Sequence, residues 1–116
     1  MNSYKMYING QFTDAISGQT YLTGNPANGE TVVEIPLGNA EDVNKAVEAV
    51  KAAFPEWSAK SMAERSDIIN RIADELERRS EELAQLDVID HGTPISLGRM
   101  WEQGGKIYQI RNRRGR

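Results

Sequence analysis

Apolar positions are spaced in two ways along this chain. From Tyr4 to Pro36 they come in short runs broken by turn-forming residues, and from Asn39 to Gly92 they recur at three- and four-residue steps. In the first stretch, Lys5-Met6-Tyr7-Ile8 and Gln11-Phe12-Thr13-Asp14 flank Asn9-Gly10. Both turn residues tolerate positive φ, so a tight type I′ hairpin is predicted, with Tyr7 and Phe12 as its aromatic content. Ser17-Gly18 marks a second turn, and Gln19 to Thr23 the next extended piece. Asn25-Pro26 turns the chain again, because the residue before a proline is pushed out of the α region. Asn28-Gly29 then leads into Thr31-Val32-Val33-Glu34-Ile35, whose β-branched content favours a strand; Pro36 and Gly38 close it. The glycines answer backbone needs. Gly29 and Gly38 do not make a Gly-x-Gly-x-x-Gly loop, so these residues carry no dinucleotide fingerprint.

The second stretch predicts helices. Asn39 is a candidate N-cap with acid in the first turn after it. Val43, Ala46, Val47, Val50 and Phe54 then form one apolar stripe. Pro55 is expected to end this helix, with Trp57 covering its open end. Ser61-Met62-Ala63-Glu64 has the form of a capping box, and the helix it opens directs Ile68, Ile69, Ile72, Ala73 and Leu76 inward. Ser80 is the expected cap of a third helix with Leu83, Leu86 and Ile89 as its stripe, and Gly92 its C-terminal stop. Thr93 and Pro94 are read as N-cap and first residue of a fourth segment, Ile95 to Ile110. That segment is the weakest, since Gly98, Gly104 and Gly105 each cost up to about 1 kcal/mol relative to alanine. The sum is short hairpins and strands over about residues 5–35, then three to four amphipathic helices, mostly α by residue count. Periodicity alone does not separate a self-contained helical bundle from helices that lean on a sheet encoded elsewhere in a longer chain.

Composition narrows the classes. With 39% hydrophobic and 27% charged residues over 116 positions, the chain is globular in character, one domain or a piece of a larger one. No apolar run approaches the ~18 residues that cross a bilayer, and Met1-Asn2-Ser3-Tyr4-Lys5 has no secretory h-region. A soluble, cytoplasmic protein without membrane contact is the expectation. The absence of cysteine removes disulfides, thiolate metal sites and cysteine nucleophiles. The net charge is −3, yet Arg111, Arg113, Arg114 and Arg116 crowd the end and leave the body more acidic than that figure. An arginine tail can touch phosphate. No aromatic or glycine pattern accompanies it as in RNA-binding modules, so a solvated terminus is favoured over nucleic-acid binding.

Asn25-Pro26 with Gly29-Glu30, Asp42 through Phe54 with Trp57, Ala63-Glu64-Arg65, and Ile89-Asp90-His91-Gly92-Thr93-Pro94 stand in one order. In that order and spacing the chain resembles the amino-terminal region of the aldehyde dehydrogenase superfamily over about residues 1–103. After Pro94 it departs. Gly104-Gly105 interrupts the helical continuation, and residues 104–116 read as an atypical basic tail, which suggests truncation or a reading-frame change near residue 104.

The resemblance implies an α/β parent that oxidises an aldehyde to a carboxylic acid, or in some branches an acyl thioester, with NAD⁺ or NADP⁺. In the family a cysteine thiolate forms a thiohemiacetal. An asparagine side chain and a backbone N–H hold the oxyanion, and a glutamate activates water. In the family pattern these residues lie beyond Arg116, so no catalytic or cofactor-binding residue is assigned here. The chain alone is expected to be inactive and to bind no dinucleotide.

The resemblance does carry over part of a monovalent-cation site: the backbone carbonyls of Thr23 and Gly24 and the carboxylate of Asp90, hard oxygen ligands of the right kind. Asp90 reads equally as a solvated carboxylate at a helix end. His91, the only histidine, reads as a helix C-terminal group favoured by the dipole, with proton transfer as the other option. Trp101 and Tyr108 could be core or face a substrate entrance. In the intact family the partners are the aldehyde substrate and further copies in a homo-oligomer; the present chain could self-associate through uncovered helix faces. The alternative function is a stand-alone helical interaction module without enzymatic activity.

Overall fold

A computed structural model describes residues 2–112. Three of the tail arginines, Arg113, Arg114 and Arg116, lie outside the described residues. The chain divides into two compact units between Ala59 and Lys60.

The first unit contains β1 (Asn2–Ser3), β2 (Met6–Ile8), β3 (Gln11–Thr13), β4 (Thr20–Gly24), β5 (Thr31–Pro36) and α1 (Ala40–Ala59). β2 and β3 form the expected hairpin, pairing Met6 with Thr13, Tyr7 with Phe12 and Ile8 with Gln11. Asn9 at φ 54° and Gly10 at φ 76° supply the positive pair that a type I′ turn needs. The rings of Tyr7 and Phe12 meet 5.1 Å apart across the strands. A separate three-stranded sheet has the order β1-β5-β4. β4 runs antiparallel to β5, whereas β1 runs parallel to it. The turn between β4 and β5 is built on Asn25. Its Oδ1 accepts from the Ala27 N–H at 2.9 Å, its N–H donates to the Glu30 carbonyl at 2.8 Å, and its carbonyl accepts from the Gly29 N–H at 2.7 Å.

Helix α1 starts at its predicted cap: Asn39 Oδ1 accepts from the Glu41 N–H at 2.9 Å. It does not stop at Pro55. The helix runs on to Ala59 with the proline inside it, and Trp57 lies within the helix instead of covering its end. Proline removes one N–H rung, the one to the Lys51 carbonyl. Only the last turn depends on the chain beyond it, and Ala52 and Ala53 hold the helix just before it. The Ser58 hydroxyl donates to the Pro55 carbonyl at 3.1 Å.

The second unit contains α2 (Met62–Arg78), α3 (Ser80–His91), α4 (Ile95–Met100), a π-helical turn (Trp101–Gly105) and α5 (Lys106–Asn112). The capping box is complete: Ser61 Oγ accepts from the Glu64 N–H at 3.1 Å, and Glu64 Oε2 accepts from the Ser61 N–H at 2.7 Å. Gly92 ends α3 in the left-handed region at φ 70°, as its position predicts. Two caps differ from expectation. Ser80 is the first residue of α3, not its cap. Arg79 alone joins α2 to α3, donating its N–H to Glu75 and accepting from the Leu83 N–H, so no extended residue remains to cap with a hydroxyl. Likewise α4 begins one residue later than expected. Pro94, at ψ 139°, is the capping residue, and its carbonyl accepts from Leu97 and Gly98; Thr93 is left outside.

The fourth segment is helical through α4, the π turn and α5, with Gly104 and Gly105 inside the wide turn. The core of this unit is made of small residues. Ala73 and Ala84 are fully buried, with Ile107 nearly so. A β-carbon on Gly98 would sit 3.3 Å from the Ala84 carbonyl oxygen, so this glycine lets α4 approach α3. That contact also re-aims α3. Its packed face centres on Ala84 and the half-buried Val88, while Leu86 and Ile89 of the expected stripe are exposed.

Candidate functional site

Thr23 and Gly24 end β4 at a register irregularity, where Thr23 faces Val33 and Gly24 faces Thr31. Such a bulge disrupts the local ladder; Thr23 Oγ1 donates to the Val33 carbonyl at 3.4 Å. Asp90 occupies the last turn of α3 with its side chain 59% exposed, 3.7 Å from Nε2 of His91. Thr23 and Gly24 belong to the first unit and Asp90 to the second. Two backbone oxygens and a carboxylate match the donor chemistry of a hard monovalent cation. His91, at the C-terminal end of α3, stands where a positive group favours the dipole.

The junction of β5, Gly38 and α1 is where a strand–glycine–helix turn could cradle a phosphate, and it does not fit one. Its donors are already taken by Asp42, a side chain that sequence reasoning noted only as acid in the first turn. Asp42 is 3% exposed, the one buried charged residue among those described. Its carboxylate accepts from the Asn39 N–H at 2.9 Å and from the Ile16 N–H at 3.0 Å. These two bonds, the Asn39 one first, hold its pKa below the usual carboxylate value against the opposing effect of desolvation; Lys45 adds a smaller lowering. A negative charge already seated at the helix N-terminus repels a second anion. The readable signal was Asn39-x-x-Asp42, a capping-box spacing.

The largest surface features are apolar. The α1 stripe is uncovered, with Val50 67% and Phe54 62% exposed. Beside it Tyr7, Ile8, Asn9 and Gly10 line a groove of about 330 Å³ with Ala46, Ala49, Val50 and Ala53. On α2, Ile68, Ile72 and Leu76 line a second groove of about 370 Å³, and Ile72 is 52% exposed. Trp101 and Tyr108 are exposed as well. Faces of this size are unusual on a monomer that needs no other chain to cover it. No helix among the described residues is long and apolar enough to cross a membrane.

A model of the aldehyde dehydrogenase family matches residues 12–112. The chain belongs to the aldehyde dehydrogenase family. It is 45% identical to aldehyde dehydrogenase family 2 member C4 of Arabidopsis thaliana over 97 residues, which cover 82% of this chain and 19% of that protein. It overlays the NAD-dependent aldehyde dehydrogenase of Sinorhizobium meliloti with a TM-score of 0.93 at 34% identity, covering 98% of this chain and 23% of that one. The NAD⁺ complex of a Bacillus cereus aldehyde dehydrogenase overlays with a TM-score of 0.94 at 34% identity, over 98% of this chain and 24% of that one. The family member described here therefore spans about a fifth of the length of its relatives, a coverage consistent with the amino-terminal part of the family fold. The match continues past Gly104-Gly105 into α5, where Arg111 pairs with Asp74 and Glu77 of α2, each at 2.8 Å.

Proposed function

We propose that this chain is the amino-terminal structural part of an NAD(P)⁺-dependent aldehyde dehydrogenase, and that these residues by themselves neither oxidise aldehydes nor bind dinucleotide. The observation that carries the reading is the exposed apolar stripe of α1 on a chain that overlays about a quarter of a larger enzyme fold. The helix face is built for burial, and the described residues do not bury it. In the intact enzyme the substrate is an aldehyde, the product a carboxylic acid and the intermediate a thiohemiacetal on a cysteine, which this sequence lacks. A cytoplasmic homo-oligomer is the proposed setting. Thr23, Gly24 and Asp90 are proposed to give part of a monovalent-cation site there, completed by further sequence.

The test is direct. The purified 116-residue chain, mixed with NAD⁺ or NADP⁺ and short aliphatic or aromatic aldehydes, should show no reduced cofactor above a heat-treated control. Turnover would overturn the inactivity. The same sample should bind a hydrophobic dye and self-associate through its uncovered faces. A monodisperse species with a cooperative thermal transition and no dye binding would instead favour a stand-alone helical interaction module.

A further inference from the structure

The chain holds two Asn-Gly pairs, Asn9-Gly10 and Asn28-Gly29, both in exposed turns and both with the glycine at positive φ. Asn-Gly is the sequence most open to intramolecular attack on a side-chain amide, because glycine has no side chain to crowd the approach of its own backbone nitrogen. Identical dipeptides at similar exposure should age alike unless their hydrogen bonds differ, and they differ sharply.

Asn28 is held at every atom the reaction must move. Its Nδ2 donates to Glu30 Oε2 at 3.0 Å, and its Oδ1 accepts from the Glu30 N–H at 3.0 Å. The attacking nitrogen is engaged too: the Gly29 N–H donates to the Asn25 carbonyl at 2.7 Å. Around Asn9 none of this exists. Neither its side chain nor the Gly10 N–H has a hydrogen-bond partner among the described residues. The surrounding structure is also weaker. Asn9-Gly10 joins two strands of three residues each that form their own two-stranded sheet, an arrangement of marginal stability by itself. Asn28-Gly29 joins β4 to β5 inside the three-stranded sheet. Opening the first turn to reach the reactive geometry breaks fewer bonds than opening the second.

We propose that Asn9 is a site of spontaneous deamidation in this protein and that Asn28, despite the same sequence, is protected by its fold. The Gly10 nitrogen, after losing its proton to base, attacks Cγ of Asn9. The Cγ–Nδ2 bond breaks and Nδ2 departs as ammonia, leaving a five-membered succinimide. Water then opens the ring at either carbonyl, giving aspartate or isoaspartate. One water is consumed, one ammonia released, and nothing is oxidised or reduced. Either product places a carboxylate on the rim of the apolar groove that Asn9 and Gly10 share with α1. The isoaspartyl product also lengthens the backbone of the two-residue turn, which breaks the pairing of Tyr7 with Phe12.

The test uses the full chain, incubated in mildly alkaline buffer and, in parallel, in concentrated urea. Peptide mapping by mass spectrometry, with enzymatic methylation of isoaspartate as a second readout, follows both sites. In urea the two should convert at similar rates. In buffer Asn9 should convert at least about tenfold faster than Asn28, the rate ratio that a difference of about 1.4 kcal/mol in opening free energy produces. Equal rates in buffer, faster conversion at Asn28, or no conversion at Asn9 while the urea sample reacts would each overturn the proposal. Because Ala is strained at the φ of Gly10, the supporting variant is Asn9→Gln. Its longer side chain should abolish the Asn9 signal and leave the slow Asn28 signal unchanged; persistence of the fast signal would place the reaction elsewhere.

Discussion

The two units hold themselves together by opposite means. The first is organised around a buried charge. Asp42 binds the backbone of a segment 26 residues earlier and the N-terminus of its own helix, while the apolar stripe of that helix stays uncovered. The second is organised around small uncharged residues, Ala73, Ala84 and Gly98, with its charges kept at the rim. There Arg99 reaches Glu81 at 2.8 Å, and Arg111 reaches Asp74 and Glu77. Exposed ion pairs of that kind contribute little each, whereas an acceptor lost from a buried site leaves its donors without partners. The comparison teaches that the abundance of ion pairs in the second unit is a poor guide to where stability is concentrated. A single carboxylate in the first unit, and a missing side chain in the second, decide more.

The largest effect should come from Asp42→Ala. It strands the N–H groups of Ile16 and Asn39, so the thermal midpoint should fall by several degrees. Hydrogen exchange should accelerate at those two amides while the amides of α3 stay protected. Equal acceleration in α3 would break the contrast between the units. Asp42→Asn, which retains an acceptor, should lose less. Next is Gly98→Leu. With the Ala84 carbonyl only 3.3 Å from the position of its β-carbon, overpacking should cost about 1–3 kcal/mol, read by chemical denaturation, with exchange changes confined to α3 and α4.

The smallest effect is electrostatic. Hydrogen bonds from Arg99, then from Gln85, lower the Glu81 pKa from 4.5 to about 2. Its folded value lies below its unfolded one, so its stabilisation is complete above pH 4.5 and is lost as pH falls through about 2. Glu81→Gln should flatten the acid limb of the stability curve slightly, and added salt should erase most of the difference. A salt effect as large as that of Asp42→Ala would reverse the ranking of the two units.

Local chemistry was legible from sequence wherever partners lie within a few residues. Asn9-Gly10 announced its hairpin, Ser61 and Glu64 their reciprocal cap, and Gly92 its left-handed stop. Elements set by distant partners were not. β1 is two residues long and shows no alternation, so its parallel pairing with β5 has no local signature. Ser80 and Thr93 are good capping residues by type, but single-residue and proline-led junctions took the capping position from them. Gly98 counted against a helix on propensity, yet close packing on Ala84 requires it, and that contact turned Leu86 and Ile89 outward. The Asn39-x-x-Asp42 spacing was visible, while the bond to Ile16 was not. Thr23 and Gly24 came into view only through family resemblance, since a ligand that is a backbone carbonyl leaves no mark on residue type. The apolar stripe of α1 was read correctly as apolar; what periodicity could not tell is whether these residues themselves would cover it.

Pro55 has a practical consequence. Without its N–H the final turn of α1 is short of one rung, and it unwinds at less cost than the turns before it. An unwound backbone is what a protease cleft accepts, and Lys60 supplies a trypsin-sensitive bond just past that turn. Brief digestion should therefore nick the chain there first and yield two fragments that meet the division between its compact halves.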